Sequence, residues 1–225
     1  MKPFKTFQPD LIVEVTGVCD RACAGCYAPN LISKFSPEEL YKEKPELFLT
    51  ANRLSESLID LKKNIGSIAL RGGEPSRHPH LSDLLKVAHE NAKDVYIETH
   101  ARWVLNQPES NTLLETCKDL STVIKISFDR MHGLSQSELK SITDKLSSAQ
   151  VQYVIAITEV NESVFNATRA LCAWIPNEQI IFQKKTTKSH ELVSPTIGII
   201  NLIGSLSRNL NVRNEFTPMP AFVGF

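Results

Sequence analysis

The sequence carries no excess of charge: among its 225 residues, 25 Lys and Arg balance 25 Asp and Glu. That balance gives no electrostatic footprint for nucleic acid and no polybasic patch for a membrane surface, although a local basic patch stays open. Long apolar runs are also missing, and none approaches the length of a membrane span. The first residues, Met1-Lys2-Pro3-Phe4-Lys5-Thr6, lack the apolar stretch of a secretory signal, so a cytoplasmic location is expected. Cysteines are few and odd in number, five in all, in a chain too large to need covalent staples. A disulfide framework is therefore excluded. With 42% hydrophobic residues the chain can bury a full core, and one domain over 1–225 is the expectation.

What is present is concentrated in two short stretches. Cys19, Cys23 and Cys26 lie just after the apolar run Leu11-Ile12-Val13-Glu14-Val15. Three thiols at this spacing can wrap one face of a small iron-sulfur cluster. A cubane kept only for electron transfer usually takes a thiolate on every iron, so a set of three leaves one iron open to a substrate or cofactor. Zinc is the competing reading, but a structural zinc site pairs two short knuckles and no second knuckle appears. The other stretch, Arg71-Gly72-Gly73-Glu74-Pro75, follows the apolar run Ile65-Gly66-Ser67-Ile68-Ala69-Leu70. Paired glycines let backbone approach a ligand closely, and Glu74 supplies a carboxylate. An ordinary turn with Glu74 in solvent is the plain alternative.

Together, C-x3-C-x2-C over Cys19 to Cys26 and the Gly-Gly-Glu-Pro of Gly72 to Pro75 resemble the signature of the radical SAM superfamily. The resemblance implies a [4Fe-4S] cluster held by Cys19, Cys23 and Cys26, with S-adenosyl-L-methionine (SAM) chelating the open iron. It places the methionine amine of SAM against Gly72, Gly73 and Glu74. Further cofactor contacts are implied at Thr99, where relatives often carry Thr-Asn-Gly and this chain has Thr99-His100-Ala101, and at Ser127 or Asp129 of Ser-Phe-Asp. Gly25 stands where an aromatic residue is common before the last cysteine, so an adenine contact there would come through backbone or from Tyr27. Arg71, where small hydroxyl residues are frequent, is a candidate partner of the SAM carboxylate. His100 is open between SAM, substrate and packing.

The chemistry implied is reductive cleavage of SAM to a 5′-deoxyadenosyl radical that takes a hydrogen atom from a small molecule or peptide. An electron donor such as flavodoxin or ferredoxin would accompany it. No catalytic residue beyond the cofactor ligands is identified. His78-Pro79-His80 extends the likeness toward peptide-modifying and cofactor-building branches, and a surface turn is the reading favoured for the two histidines. Two alternatives stand beside this one: an activase that installs a glycyl radical in a partner enzyme, and a non-catalytic iron-sulfur or zinc protein. Strand four ends Ile-Ser-Phe-Asp rather than in the Asp-hydrophobic-Lys of many activases. Cys117 and Cys172 fall on apolar helical faces and read as core, so no auxiliary cluster is supported.

Periodicity gives six strands alternating with helices. They are expected at Pro9–Val15, Ile65–Leu70, Val95–Thr99, Thr122–Asp129, Val151–Thr158 and Gln179–Gln183. Ser36-Pro37-Glu38-Glu39 signals a capped helix start, Asn161 most simply caps a helix, and a last helix is expected from Ser194-Pro195. This argues α/β with a parallel sheet. The resemblance sharpens it to a partial (βα)6 barrel over about 9–210, with a C-terminal tail at 211–225.

Overall fold

A computed structural model describes residues 9–23, 26, 31–33, 35–61, 65–106, 109–128, 132–157, 170–171, 173–175, 179–183, 213–215 and 221–223. Tyr27, Asp129, Cys172, the proposed cap at Asn161 and the helix expected from Ser194 lie outside them.

The strands are β1 (Leu11–Thr16), β2 (Val18–Cys19), β3 (Leu31–Ile32), β4 (Ile65–Gly72), β5 (Ala92–Thr99), β6 (Val123–Ser127), β7 (Tyr153–Ile157), β8 (Ile180–Gln183), β9 (Arg213–Glu215) and β10 (Ala221–Val223). The helices described are α1 (Pro37–Glu43), α2 (Ala51–Leu61), α3 (Leu81–Asn91), α4 (Glu109–Asp119) and α5 (Gln136–Ser148). Eight strands form one sheet in the order β10-β1-β4-β5-β6-β7-β8-β9, every neighbouring pair parallel. The expected α/β architecture with parallel strands is present, and β1, β4, β5, β6, β7 and β8 are its six expected strands. Within the stretch expected as a tail, Arg213–Glu215 and Ala221–Val223 pair with the sheet as its edge strands. Three-residue strands carry no alternation to read, and they join the sheet through backbone pairing.

Local signals explain where the elements begin. Ser36 caps α1 through a reciprocal capping box with Glu39, and Pro37 occupies the first turn. Pro45 starts a separate 3-10 turn, since a helix interior cannot accept it. Ser135 and Glu138 form a second capping box at the start of α5.

The two faces of the sheet differ. Val13, Val15, Ile68, Leu70, Val95, Ile97, Ile124, Ile126 and Ile155 pack with Leu54, Leu58, Leu84, Leu85, Leu114, Cys117, Leu139 and Ile142 of the helices in one large core. Cys117 is fully buried there, and burial pushes its thiol up to about 12. The opposite face has a smaller apolar cluster of Ile12, Ala69, Tyr96, Val123, Val154, Ala156 and Ile181.

One step further along the strands that second face becomes ionic. Register places Glu14 beside Arg71 and Glu98 beside Lys125. The Arg71 guanidinium lies 3.6 Å from Glu14 and 3.9 Å from Glu98, and Lys125 Nζ lies 2.9 Å from Glu98. Burial opposes the charge on Glu98, but Lys125 and then Arg71 overcome it and hold its carboxyl below the ordinary range. Signs alternate across four adjacent strands, so each buried charge has an opposite neighbour.

Candidate functional site

The cysteine-bearing segment leaves the C-terminal end of β1, where ligands gather in parallel sheets. Thr16 and Gly17 turn the chain, and Val18–Cys19 then pairs with Leu31–Ile32 as a small parallel ladder. Main-chain bonds hold this segment onto the end of β4: Gly73 N–H donates to Thr16 O and Glu74 N–H to Val18 O, both at 2.8 Å. The two glycines make that contact sterically possible. A Cβ on Gly72, whose φ is +154°, would lie 2.3 Å from Thr16 O, and one on Gly73 would lie 2.1 Å from Val18 O. What crowds the two positions is the chain's own backbone, so the glycines first of all let two main-chain segments meet.

Cys19 is buried, while Cys23 and Cys26 are half-buried, and none of the three is in a disulfide. Burial pushes the Cys19 thiol up to about 11. Cys26 N–H donates to Cys23 O at 3.2 Å. The donor set suits an iron-sulfur cluster in chemistry and position: three thiols on one loop at the ligand-binding end of the sheet. Among the described residues no three ligating side chains already stand together as a metal-holding group. The fit is thus one of donor type and loop placement.

Glu74 is 1% exposed, which removes the solvated-turn alternative. Its Oε1 accepts from Thr99 Oγ1 at 2.6 Å, Ser76 Oγ at 3.0 Å and Ser76 N–H at 3.3 Å. Its Oε2 accepts from the His100 N–H at 3.2 Å and faces His100 Nε2 at 3.2 Å. A carboxylate has about four lone-pair sites, so the chain itself occupies them. Thr99 is engaged as fully: its hydroxyl donates to Glu74 and accepts from Ala101 N–H at 2.9 Å and Trp103 Nε1–H at 3.1 Å. Ala101 takes the left-handed φ of 60°, a conformation that favours glycine.

His100 is the member of this group that reaches the cysteine loop. Its Nδ1 accepts from Arg102 N–H at 3.1 Å, so the ring proton sits on Nε2, 3.0 Å from Asp20 Oδ1. Burial of the ring opposes a second proton, but the Glu74 and Asp20 carboxylates outweigh it and raise the His100 pKa. The hydrogen bond from His100 in turn holds the Asp20 carboxyl below the ordinary range. Arg102 extends the group to the loop after β6: its guanidinium donates to Glu138, His132 O and Gly133 O.

The structure therefore brings together Cys19, Gly72, Gly73, Glu74, Thr99 and His100. Ser127 lies at the end of β6 opposite Ala156, and Arg71 belongs to the ionic row one layer below. The reading of the two histidines as a surface turn is corrected for His78, which is 3% exposed. Its Nε2 lies 2.7 Å from Leu49 O and its Nδ1 accepts from His80 N–H, so both nitrogens are used within the fold. Asp20, Ser76, Arg102 and Trp103 were not anticipated. Asp20 is flanked by a cysteine and belongs to no periodic pattern, and its only sequence signal is its place inside the cysteine motif.

A parallel α/β sheet with a cysteine loop at its C-terminal end defines the class of fold. No family model matches the sequence, and no curated protein matches it either. Among solved structures, SuiB of Streptococcus suis bound to precursor peptide SuiA aligns with a TM-score of 0.64 at 15% identity over 92% of this chain and 49% of that one. SuiB bound to S-adenosylmethionine aligns with 0.63 at 14% identity, over 97% and 51%. The chain spans about half the length of these SuiB structures, and what it shares with them is the fold. That fold is the one the radical SAM resemblance implies.

Proposed function

We propose that the chain is a radical SAM enzyme in which Cys19, Cys23 and Cys26 hold a [4Fe-4S] cluster that binds SAM. The observation that carries this reading is the backbone-to-backbone docking of the cysteine loop on Gly72-Gly73-Glu74, which joins the two motifs at one end of a parallel sheet. When bound, the cluster and SAM supply a 5′-deoxyadenosyl radical able to take a hydrogen atom from a small-molecule or peptide substrate. The protein's part is binding, orientation and exclusion of side reactions.

In this reading the Gly72–Glu74 segment receives the methionine amine, with Glu74 exchanging one of its internal donors for the ligand. Tyr27, Thr99, Ser127 and Asp129 are the proposed contacts for the rest of SAM. Binding of iron by Cys19 requires its thiolate, so loading releases a proton from a group that burial keeps protonated. An electron donor such as flavodoxin or ferredoxin is the proposed redox partner, and a cytoplasmic location the proposed setting. Among the described residues no helix is long and apolar enough to cross a membrane.

Anaerobic purification and reconstitution test the proposal. The expected outcome is four irons and four sulfides per chain in the wild type, as a cubane requires, and loss of the cluster in Cys23→Ala with the fold retained. Stoichiometric zinc without iron would sink it.

A further inference from the structure

We propose that His100 is a positioning residue that fastens the cysteine-bearing loop to the Gly-Gly-Glu-Pro turn, its ring Nε2–H donating to Asp20 and its main-chain N–H to Glu74. The main-chain ladder from β4 reaches Thr16 and Val18 and ends there, one residue short of Cys19. Among the described residues, the next tie from this loop to the sheet lies on the far side of that cysteine, where Asp20 Oδ1 meets His100 Nε2 at 3.0 Å across 80 residues of sequence. Among the described residues Cys19 is thus tied toward the sheet on both sides, by backbone at Val18 and by the Asp20–His100 hydrogen bond, while its own carbonyl accepts from Ser33 N–H at 3.0 Å.

The ring is built to do this. Arg102 N–H occupies Nδ1 and so fixes the tautomer that presents a proton at Nε2. Glu74 Oε2 accepts the His100 main-chain N–H and stands 3.2 Å from Nε2, and at 5% exposure little water competes for the ring. The tie is made by the chain's own residues and goes beyond the SAM reading, because it holds whether or not SAM is the ligand.

Residue-resolved alkylation of the reduced, metal-free protein with iodoacetamide tests it, with Cys117 as the internal control. His100→Ala should raise the Cys19 labelling rate by about tenfold, the factor equivalent to one hydrogen bond involving a charged group, and leave Cys117 unchanged. Asp20→Ala, which spares the Glu74 network, should raise it by at least that factor, because it also removes the 4.0 Å contact between the Cys19 thiol and Asp20 Oδ1. Adding His100→Ala to Asp20→Ala should raise it no further. His100→Gln, whose amide N–H falls near the place of Nε2, should restore the slow rate. The proposal is overturned if Cys19 labels at the wild-type rate in both alanine variants, if Cys117 speeds up in step with Cys19, or if His100→Gln behaves like His100→Ala. Because no SAM or iron enters, these outcomes are separate from any failure of the radical SAM reading.

Discussion

Glu74 shows how one residue's environment reorders expectation. Its carboxylate sits among Thr99, Ser76 and His100, so replacing it by Gln places an N–H₂ against at least one donor. Glu74→Gln should cost about 1–3 kcal/mol, the penalty of an unsatisfied buried polar group, in urea unfolding of the metal-free protein. A loss below about 0.5 kcal/mol, the range of a surface site, would contradict the network. His78 gives a second test. Burial pushes its pKa down to about 4 from 6.5, so between these values the unfolded chain binds a proton that the native chain excludes. Stability is full above pH 6.5 and falls as pH drops toward 4, by up to about 3 kcal/mol. His78→Gln, which retains a donor for Leu49 O, should flatten that part of the profile, and an unchanged slope would assign the acid sensitivity elsewhere. Motifs pointed to Glu74 and Thr99, but nothing in sequence pairs Asp20 with His100, because a contact spanning 80 residues has no period to betray it.

At the level of elements, the docking of β1's exit on β4 sets the site. Gly73→Ala drives a Cβ to within 2.1 Å of Val18 O, whereas at Gly17 nothing lies within 4 Å of the added carbon. The first should therefore lose at least about 2 kcal/mol and loosen the cysteine loop, and the second should stay within about 0.5 kcal/mol. Denaturation of both variants, with alkylation of Cys19 read alongside, checks the contrast, and equal stabilities would refute it. Much of this layer was legible. Pro37, Pro45 and the capping box of Ser36 and Glu39 mark backbone constraints that act locally, and the apolar runs of β1, β4 and β5 record strands buried on both faces. The purpose of Gly72 and Gly73 was less so. A glycine pair announces close approach without saying to what, and here Thr16 and Val18 are what it meets.

Over the whole molecule, a parallel sheet carries helices on one face, and on the other an apolar floor, the charged row Glu14-Arg71-Glu98-Lys125, and then the loop ends with the cysteines. The six central strands were readable because each is a short apolar run rich in β-branched residues, while β9 and β10 escaped because pairing, not composition, makes them strands. The central claim is that three cysteines leave one iron for SAM. The electron paramagnetic resonance spectrum of the reduced, reconstituted protein, recorded with and without SAM, tests it most directly. The account predicts a cubane signal that shifts on SAM addition, whereas an identical signal at saturating SAM, or none from iron at all, would contradict it.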